Sequence, residues 1–295
     1  MLANDYINFK HKLMKIAITA VSGQLGSAIA KRAIEEFGKE NVTGTARSPE
    51  KVKEPDIEVF RADYNEKDGF LNAFQGIDAV LLVSGMDAPD KRIGQHRNII
   101  NAAKEAGVKK IVYTSIIGKK GESTFDAIVN SNRQTEEDIK NSGLNYAIGR
   151  NGLYIEPDVE YLNNYVKDGK ISNCAGDGKC SYTSRDELAI AYVSLLKNNS
   201  LNGMVYNLVG EAITQTELTG YFNKYFDTNL IYESLTPEEY LKVQQKINGE
   251  FLGSVIAGIY KKIRNNEFNL ESDYEKVVGR KHKTVGKLFS DYKNN

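Results

Sequence analysis

The sequence predicts an α/β fold: a Rossmann-type doubly wound parallel sheet with a small, mostly helical C-terminal substrate lobe. Three observations carry that prediction. Short β-rich runs alternate with helical patterns from Lys15 to Gly149, the order expected of a parallel sheet covered on both faces. A glycine-bearing turn, Ala20-Val21-Ser22-Gly23-Gln24-Leu25-Gly26, separates the first strand from the first helix. No repeat, low-complexity tract or Pro/Gly-rich linker divides the chain, so any second lobe grows out of the first.

Each element has its own signal. Lys15–Thr19 reads as the first strand. Leu25, Ile29, Ala33 and Phe37 then recur at four-residue spacing as one apolar stripe, and Gly38 stands where a helix stops. Further strands are expected at Val42–Ala46, Ile57–Ala62, Ala79–Val83, Lys110–Thr114 and Tyr146–Gly149, with a returning strand at Gly203–Val209. Between them one helix begins near Glu66 with Asn65 as its cap, one runs from Arg92 to Ala106 before Gly107, and one lies between Asn130 and Asn141, stopped at Gly143. Residues 1–13 lack the apolar stretch of a secretory signal and read as an N-terminal extension. Residues 14–150 form the expected Rossmann domain, and 151–295 a substrate-side lobe interleaved with its sheet.

Composition narrows the function classes. At 295 residues the chain can bury a core without metal or disulfide staples. Lys plus Arg equals Asp plus Glu at 39 each, so no global field draws in nucleic acid or an anionic membrane. The two cysteines, Cys174 and Cys180, lack the second pair of a zinc tetrahedron. They read as reduced thiols of a cytoplasmic protein, and no metal site is expected. The longest apolar runs fall far short of the roughly 20 residues of a membrane span. His11, His96 and His282 are scattered; His96, on a predicted helix, is structural in this reading. Self-association as a homodimer stays open.

The turn after the first strand carries the chemistry. Main-chain N–H groups at a helix start, aided by the helix dipole, accept a pyrophosphate wherever no side chain blocks the approach. Gly23 and Gly26 supply that clearance, while Ala20 stands where the first glycine of such a loop is expected and requires a negative φ. At the end of the second strand Arg47 replaces the acid that would hold a ribose hydroxyl. A guanidinium there forks onto a 2′-phosphate and selects NADP(H), unless Arg47 is only a solvated surface residue. By position, Asp63 and Tyr64 after the third strand, and Ser84 and Gly85 after the fourth, line the ligand crevice. Asp63 serves equally well as a loop or capping residue.

Thr19 to Gly26, Ala46 to Lys51, Gln95 to Ala103, Tyr113-Thr114-Ser115, Arg150 to Tyr154 and Ala175 to Lys179 resemble the NmrA-like atypical short-chain dehydrogenases/reductases, above all their bacterial type-2 NAD(P)H:quinone oxidoreductases. The resemblance covers most of 14–210. It implies NADPH across the strand ends, hydride delivery to a small quinone-like acceptor, Ser22, Gly23, Gln24, Leu25 and Gly26 at the pyrophosphate, and Arg47 at the 2′-phosphate. It also places Ser115, at the end of the fifth strand, and Asn151, after the sixth, beside the nicotinamide and substrate.

Ketone-reducing short-chain dehydrogenases use a Tyr-x-x-x-Lys pair on the helix after the fifth strand, where lysine lowers the tyrosine pKa for proton donation. No tyrosine occurs here between Tyr113 and Tyr146. A quinone tolerates that loss, because hydride addition yields a delocalised phenolate that oriented donors can stabilise. Asn151 is the first candidate donor, with Tyr154 or Tyr182 behind it; a turn-fixing role explains Asn151 equally well. The missing pair also suits a non-catalytic NADP(H)-binding redox sensor, and counts against a sugar-nucleotide epimerase.

Overall fold

The computed structural model describes residues 14–52 and 56–294; the expected extension, 1–13, lies outside them. Its strands are β1 (Ile16–Ile18), β2 (Val42–Ala46), β3 (Glu58–Arg61), β4 (Ala79–Val83), β5 (Lys110–Ile116), β6 (Asn145–Asn151), β7 (Leu153–Tyr154), β8 (Lys170–Asn173), β9 (Cys180–Thr183), β10 (Met204–Leu208), β11 (Ala212–Ile213) and β12 (Ile231–Ser234). The helices are α1 (Gln24–Phe37), α2 (Asp68–Ala73), α3 (Pro89–Glu105), α4 (Thr124–Lys140), α5 (Glu156–Glu160), α6 (Leu162–Asp168), α7 (Arg185–Lys197), α8 (Gln215–Phe226), α9 (Pro237–Asn248), α10 (Glu250–Arg264), α11 (Tyr274–Val278) and α12 (Val285–Asn294).

Seven strands form one sheet in the order β3-β2-β1-β4-β5-β6-β10, and every neighbouring pair is parallel. The order reverses between β1 and β4, which opens a crevice at their C-terminal ends. One face packs Ile16, Ile18, Leu81 and Val112 against α1, α7 and α11. The other packs Val80, Leu82, Ile111 and Ile148 against α2, α3 and α4. With both faces covered, these strands are near-continuous apolar runs rather than alternating ones. A separate apolar cluster, built from Ile171, Leu218, Phe222 and Phe289 among others, forms the core of the C-terminal lobe. The smaller sheets β11-β9-β7 and β12-β8 belong to this part of the chain.

Several element boundaries differ from expectation for identifiable reasons. The third helix starts at Pro89 rather than Arg92, with the proline in its first turn, where a missing N–H costs nothing. The next begins at Thr124 rather than Asn130, behind a capping box of Ser123 and Asp126; its Phe125 and Val129 pack into the lobe core instead of the sheet. Asn65 caps no helix. It donates to Asp63 at 2.9 Å and accepts from Gln95 at 3.0 Å, and α2 starts at Asp68. Finally, β5 and β6 each run two residues further than expected, so Ser115 and Asn151 lie within strands, opposite Arg150 and Ile116 respectively.

Candidate active site

Both ends of the crevice are built by chain turns that leave the central strands. After β1, Val21 turns inward to full burial, its methyls filling the space beside Gly44. That turn forces Ala20 to φ +53°, contrary to the negative φ expected, while Gly23 N–H closes it by donating to the Ala20 carbonyl at 2.9 Å. A Cβ on Gly26 would lie 2.3 Å from the same carbonyl oxygen. Gly26 therefore lets α1 pack onto the turn, whereas Gly23 is the glycine that opens on the crevice: a Cβ there meets only the Ala20 oxygen, at 3.4 Å. The start of α1 has neither a side-chain cap nor an acid in its first turn, unlike α4, α7, α8 and α9, whose first turns are capped by serine or threonine and carry acids. Its positive dipole end is left for an external anion.

The crevice, about 290 Å³, is lined by Ala20, Ser22, Gly23, Arg47, Asp63, Tyr64, Ser84 and Gly85 together with Thr45, Asn65, Asp87 and Gln95. Arg47 is exposed at its edge and makes no ion pair or hydrogen bond among the described residues. Asp63 accepts from the Asn65 main-chain and side-chain nitrogens, both at 2.9 Å. Tyr64 donates to the Val83 carbonyl at 2.7 Å and accepts from the Thr19 hydroxyl at 2.7 Å, and burial raises its pKa, so it braces the crevice as a neutral phenol. Gly85 N–H donates to His96 Nε2 at 2.9 Å, which leaves the ring proton on Nδ1, facing Thr135 at 2.8 Å. Burial, with Arg92 nearby, pushes His96 down to about 3. The histidine is thus a neutral buried brace.

Gln24, Leu25, Gly26 and Ser115 do not line this crevice. Leu25 points into the core beneath α1. Ser115 is fully buried, donating to Glu136 at 2.7 Å and accepting from Arg133 at 3.0 Å. Arg150 closes the same cluster on Glu136 at 2.6 Å. The hydroxyl expected beside the nicotinamide is committed to that ionic network.

Past β6, a second cavity of about 550 Å³ begins at Leu153 and Tyr154 and is walled by α5, α6, β8, α9 and α10. Asn151 lies behind it, only 4% exposed, taking a hydrogen bond from the Tyr192 hydroxyl and donating from Nδ2 to the Tyr154 oxygen at 2.9 Å. Because Tyr154 accepts that bond, its own proton is free. Burial pushes Tyr154 up to about 12, against the opposing Asn151 bond and the Arg185 charge; the guanidinium stands 5.5 Å from the ring centroid. Tyr182, expected as a further donor, is fully buried, accepts from Gln215 at 2.9 Å and belongs to the lobe core. Asp158 and Tyr240, unforeseen in the sequence, line the cavity with Tyr161, Tyr165 and Tyr260. The tyrosines that follow Asn151 in the sequence are the one local signal of this lining; nothing in the sequence singles out Asp158.

A parallel sheet with an unblocked helix start at its switch point defines a dinucleotide-binding α/β protein. A family model described as NAD(P)H-binding matches residues 21–199. The chain belongs to this NAD(P)H-binding family and is of its NmrA-like kind. Quinone oxidoreductase 2 of Escherichia coli (strain K12) is 31% identical over 229 residues, 76% of this chain and 79% of that protein. An NmrA-like family domain-containing oxidoreductase of Aspergillus flavus is 28% identical over 238 residues, 77% and 76% of the two chains. The crystal structure of an NADPH-dependent quinone oxidoreductase from Escherichia coli, complexed with NADPH, matches 94% of this chain and 99% of its own, with a TM-score of 0.85 at 28% identity. Among the described residues, no helix is long and apolar enough to cross a membrane.

Proposed function

We propose that the protein is a cytoplasmic NADPH-dependent reductase of small quinone-like acceptors, with 14–150 holding the nucleotide and 151–295 the acceptor. The observation that carries this reading is Tyr154, a phenol whose oxygen is fixed by Asn151 and whose proton is free at the wall of a tyrosine-lined cavity. NADPH, when bound, supplies the hydride. Gly23 and Ser22 leave room for its pyrophosphate, and Arg47 carries an unpaired charge suited to its 2′-phosphate. Tyr154 then donates a hydrogen bond to the oxygen on which negative charge develops, and its raised pKa keeps it protonated while it does so. Such stabilisation suffices for a phenolate product and removes the need for a tyrosine on α4, which has none.

The test is NADPH consumption with benzoquinone, followed at the nicotinamide absorbance. Turnover well above the uncatalysed rate is expected, and Tyr154→Phe should lower kcat by about 10- to 100-fold without changing NADPH affinity. Tight NADPH binding without consumption would instead assign the protein to redox sensing.

A further inference from the structure

The main chain of Asn151 has no freedom left. It pairs with Ile116 on β5 and Leu208 on β10, and its carbonyl accepts from Ile117 N–H at 3.0 Å. The strand ladder leaves one choice open, the direction of the side-chain carboxamide, because turning it over exchanges its oxygen and its NH2 group and moves nothing else. One orientation offers Tyr154 a donor and leaves the Tyr154 proton to the cavity; the other offers an acceptor that captures this proton. Two distances decide between them. The Tyr192 oxygen lies 2.5 Å from one end of the carboxamide, and the Tyr154 oxygen 2.9 Å from the other. O–H···O bonds close to about 2.5 Å but N–H···O bonds only to about 2.7 Å, so Oδ1 faces Tyr192 and Nδ2 faces Tyr154. Burial, with Tyr154, Tyr113 and Glu136 nearby, pushes the Tyr192 phenol well above its ordinary pKa, so it always has a proton to give. Its alternative acceptor, the Gly149 carbonyl, is farther away at 3.0 Å. The place of this hydroxyl is itself built in. Tyr192 is fully buried on α7, and a Cβ on Gly149 would stand 2.6 Å from its oxygen and 2.8 Å from its ring. Glycine at that point of β6 lets the phenol lie against the strand and reach Asn151.

We propose that Tyr192 is a positioning residue: its hydroxyl locks the Asn151 carboxamide with Nδ2 toward Tyr154 and so keeps the Tyr154 proton available to the acceptor. The proposal rests on the reading of Tyr154 as the donor to that acceptor. Without the Tyr192 hydroxyl the locked orientation would leave Oδ1 a buried acceptor with no partner. Turned over, the carboxamide pairs the stronger donor, the Tyr154 phenol, with the stronger acceptor, the amide oxygen. The proton that should face the cavity is then held by Asn151, and the wall of the cavity presents no donor at Tyr154.

The experiment binds duroquinone to the NADP+-loaded protein and follows its carbonyl stretch by difference infrared spectroscopy. In the unaltered protein the stretch should move to lower wavenumber, the signature of a carbonyl that accepts a hydrogen bond, and Tyr154→Phe and Tyr192→Phe should each abolish the shift. A shift that Tyr154→Phe removes and Tyr192→Phe leaves at full size overturns the proposal while Tyr154 remains the donor. No shift in the unaltered protein removes Tyr154 from the donor role, and the proposal falls with that reading. With NADPH in place of NADP+, Tyr192→Phe should lower kcat about 5- to 10-fold while KM and NADPH affinity stay within about twofold. Added to Tyr154→Phe it should cost nothing further, since both act through one proton; losses that multiply in the double variant would reduce Tyr192 to a packing residue and overturn the proposal. In the unaltered protein, nuclear Overhauser contacts from the Asn151 side-chain NH2 protons should run to the Tyr154 ring. Contacts to the Tyr192 ring instead overturn the proposal whether or not the variant folds.

Discussion

Ala20 adopts a left-handed conformation, φ +53°, that an L side chain reaches at a cost of roughly 1–2 kcal/mol. The turn keeps it because Val21 must point into the core and the Ala20 carbonyl must meet Gly23 N–H. Ala20→Gly is therefore expected to raise stability by about 1 kcal/mol in urea denaturation, with NADPH affinity unchanged; a loss of stability would show that the methyl packs more usefully than the backbone suffers. Arg47 has the complementary character, exposed and without a partner. Arg47→Ala should weaken NADPH binding about 10- to 100-fold and leave NADH binding within about twofold by calorimetry. Parallel losses for both nucleotides would detach the residue from the 2′-phosphate. Which residues stand near the crevice was legible because strand ends are. Which way a side chain turns was not, since Ser115 and Tyr182 find partners, Glu136 and Gln215, that are distant in sequence.

At the scale of elements, the apolar stripe of α1 and its Gly38 stop were readable because the helix lies on one sheet face with a single periodicity. The first turns of α4 were not, because Phe125 and Val129 face the lobe core and break the phase set by residues that face the sheet. The lobe is tied back to the sheet by α7. Its Glu187, fully buried, accepts from both Arg280 terminal nitrogens at 2.8 Å and from Lys283 N–H at 3.1 Å, while Tyr274 donates to its carbonyl at 3.1 Å. Burial alone would raise the Glu187 pKa, but the bonds from Arg280 and Lys283 hold it below the usual value. Glu187→Gln should cost about 2–3 kcal/mol at neutral pH, less than the roughly 3–5 kcal/mol of a fully buried broken pair because Arg280 is partly exposed. A depressed carboxyl contributes stability above its unfolded pKa of about 4.3 and loses that contribution as pH falls through the folded one. Urea midpoints of the two proteins should thus converge below pH about 4; a constant gap would mean that the charge is not what the clamp supplies.

For the whole molecule, the doubly wound class followed from alternation and one turn, features that repeat over short stretches of chain. The tyrosine-lined cavity draws on five elements that start as far apart as Glu156 and Glu250, and no local pattern encodes such a meeting. The same long-range closure governs how the chain can be made. A ribosome delivers β1 to β6 first, yet β10 closes the open edge of β6, and α7 and α11 join α1 in covering one face of the sheet. A nascent chain that ends near 150 therefore presents a bare strand edge and a sheet face covered only in part, by α1, to solvent. Edge and face gain their full native cover only once the chain has been made as far as Val278, the end of α11.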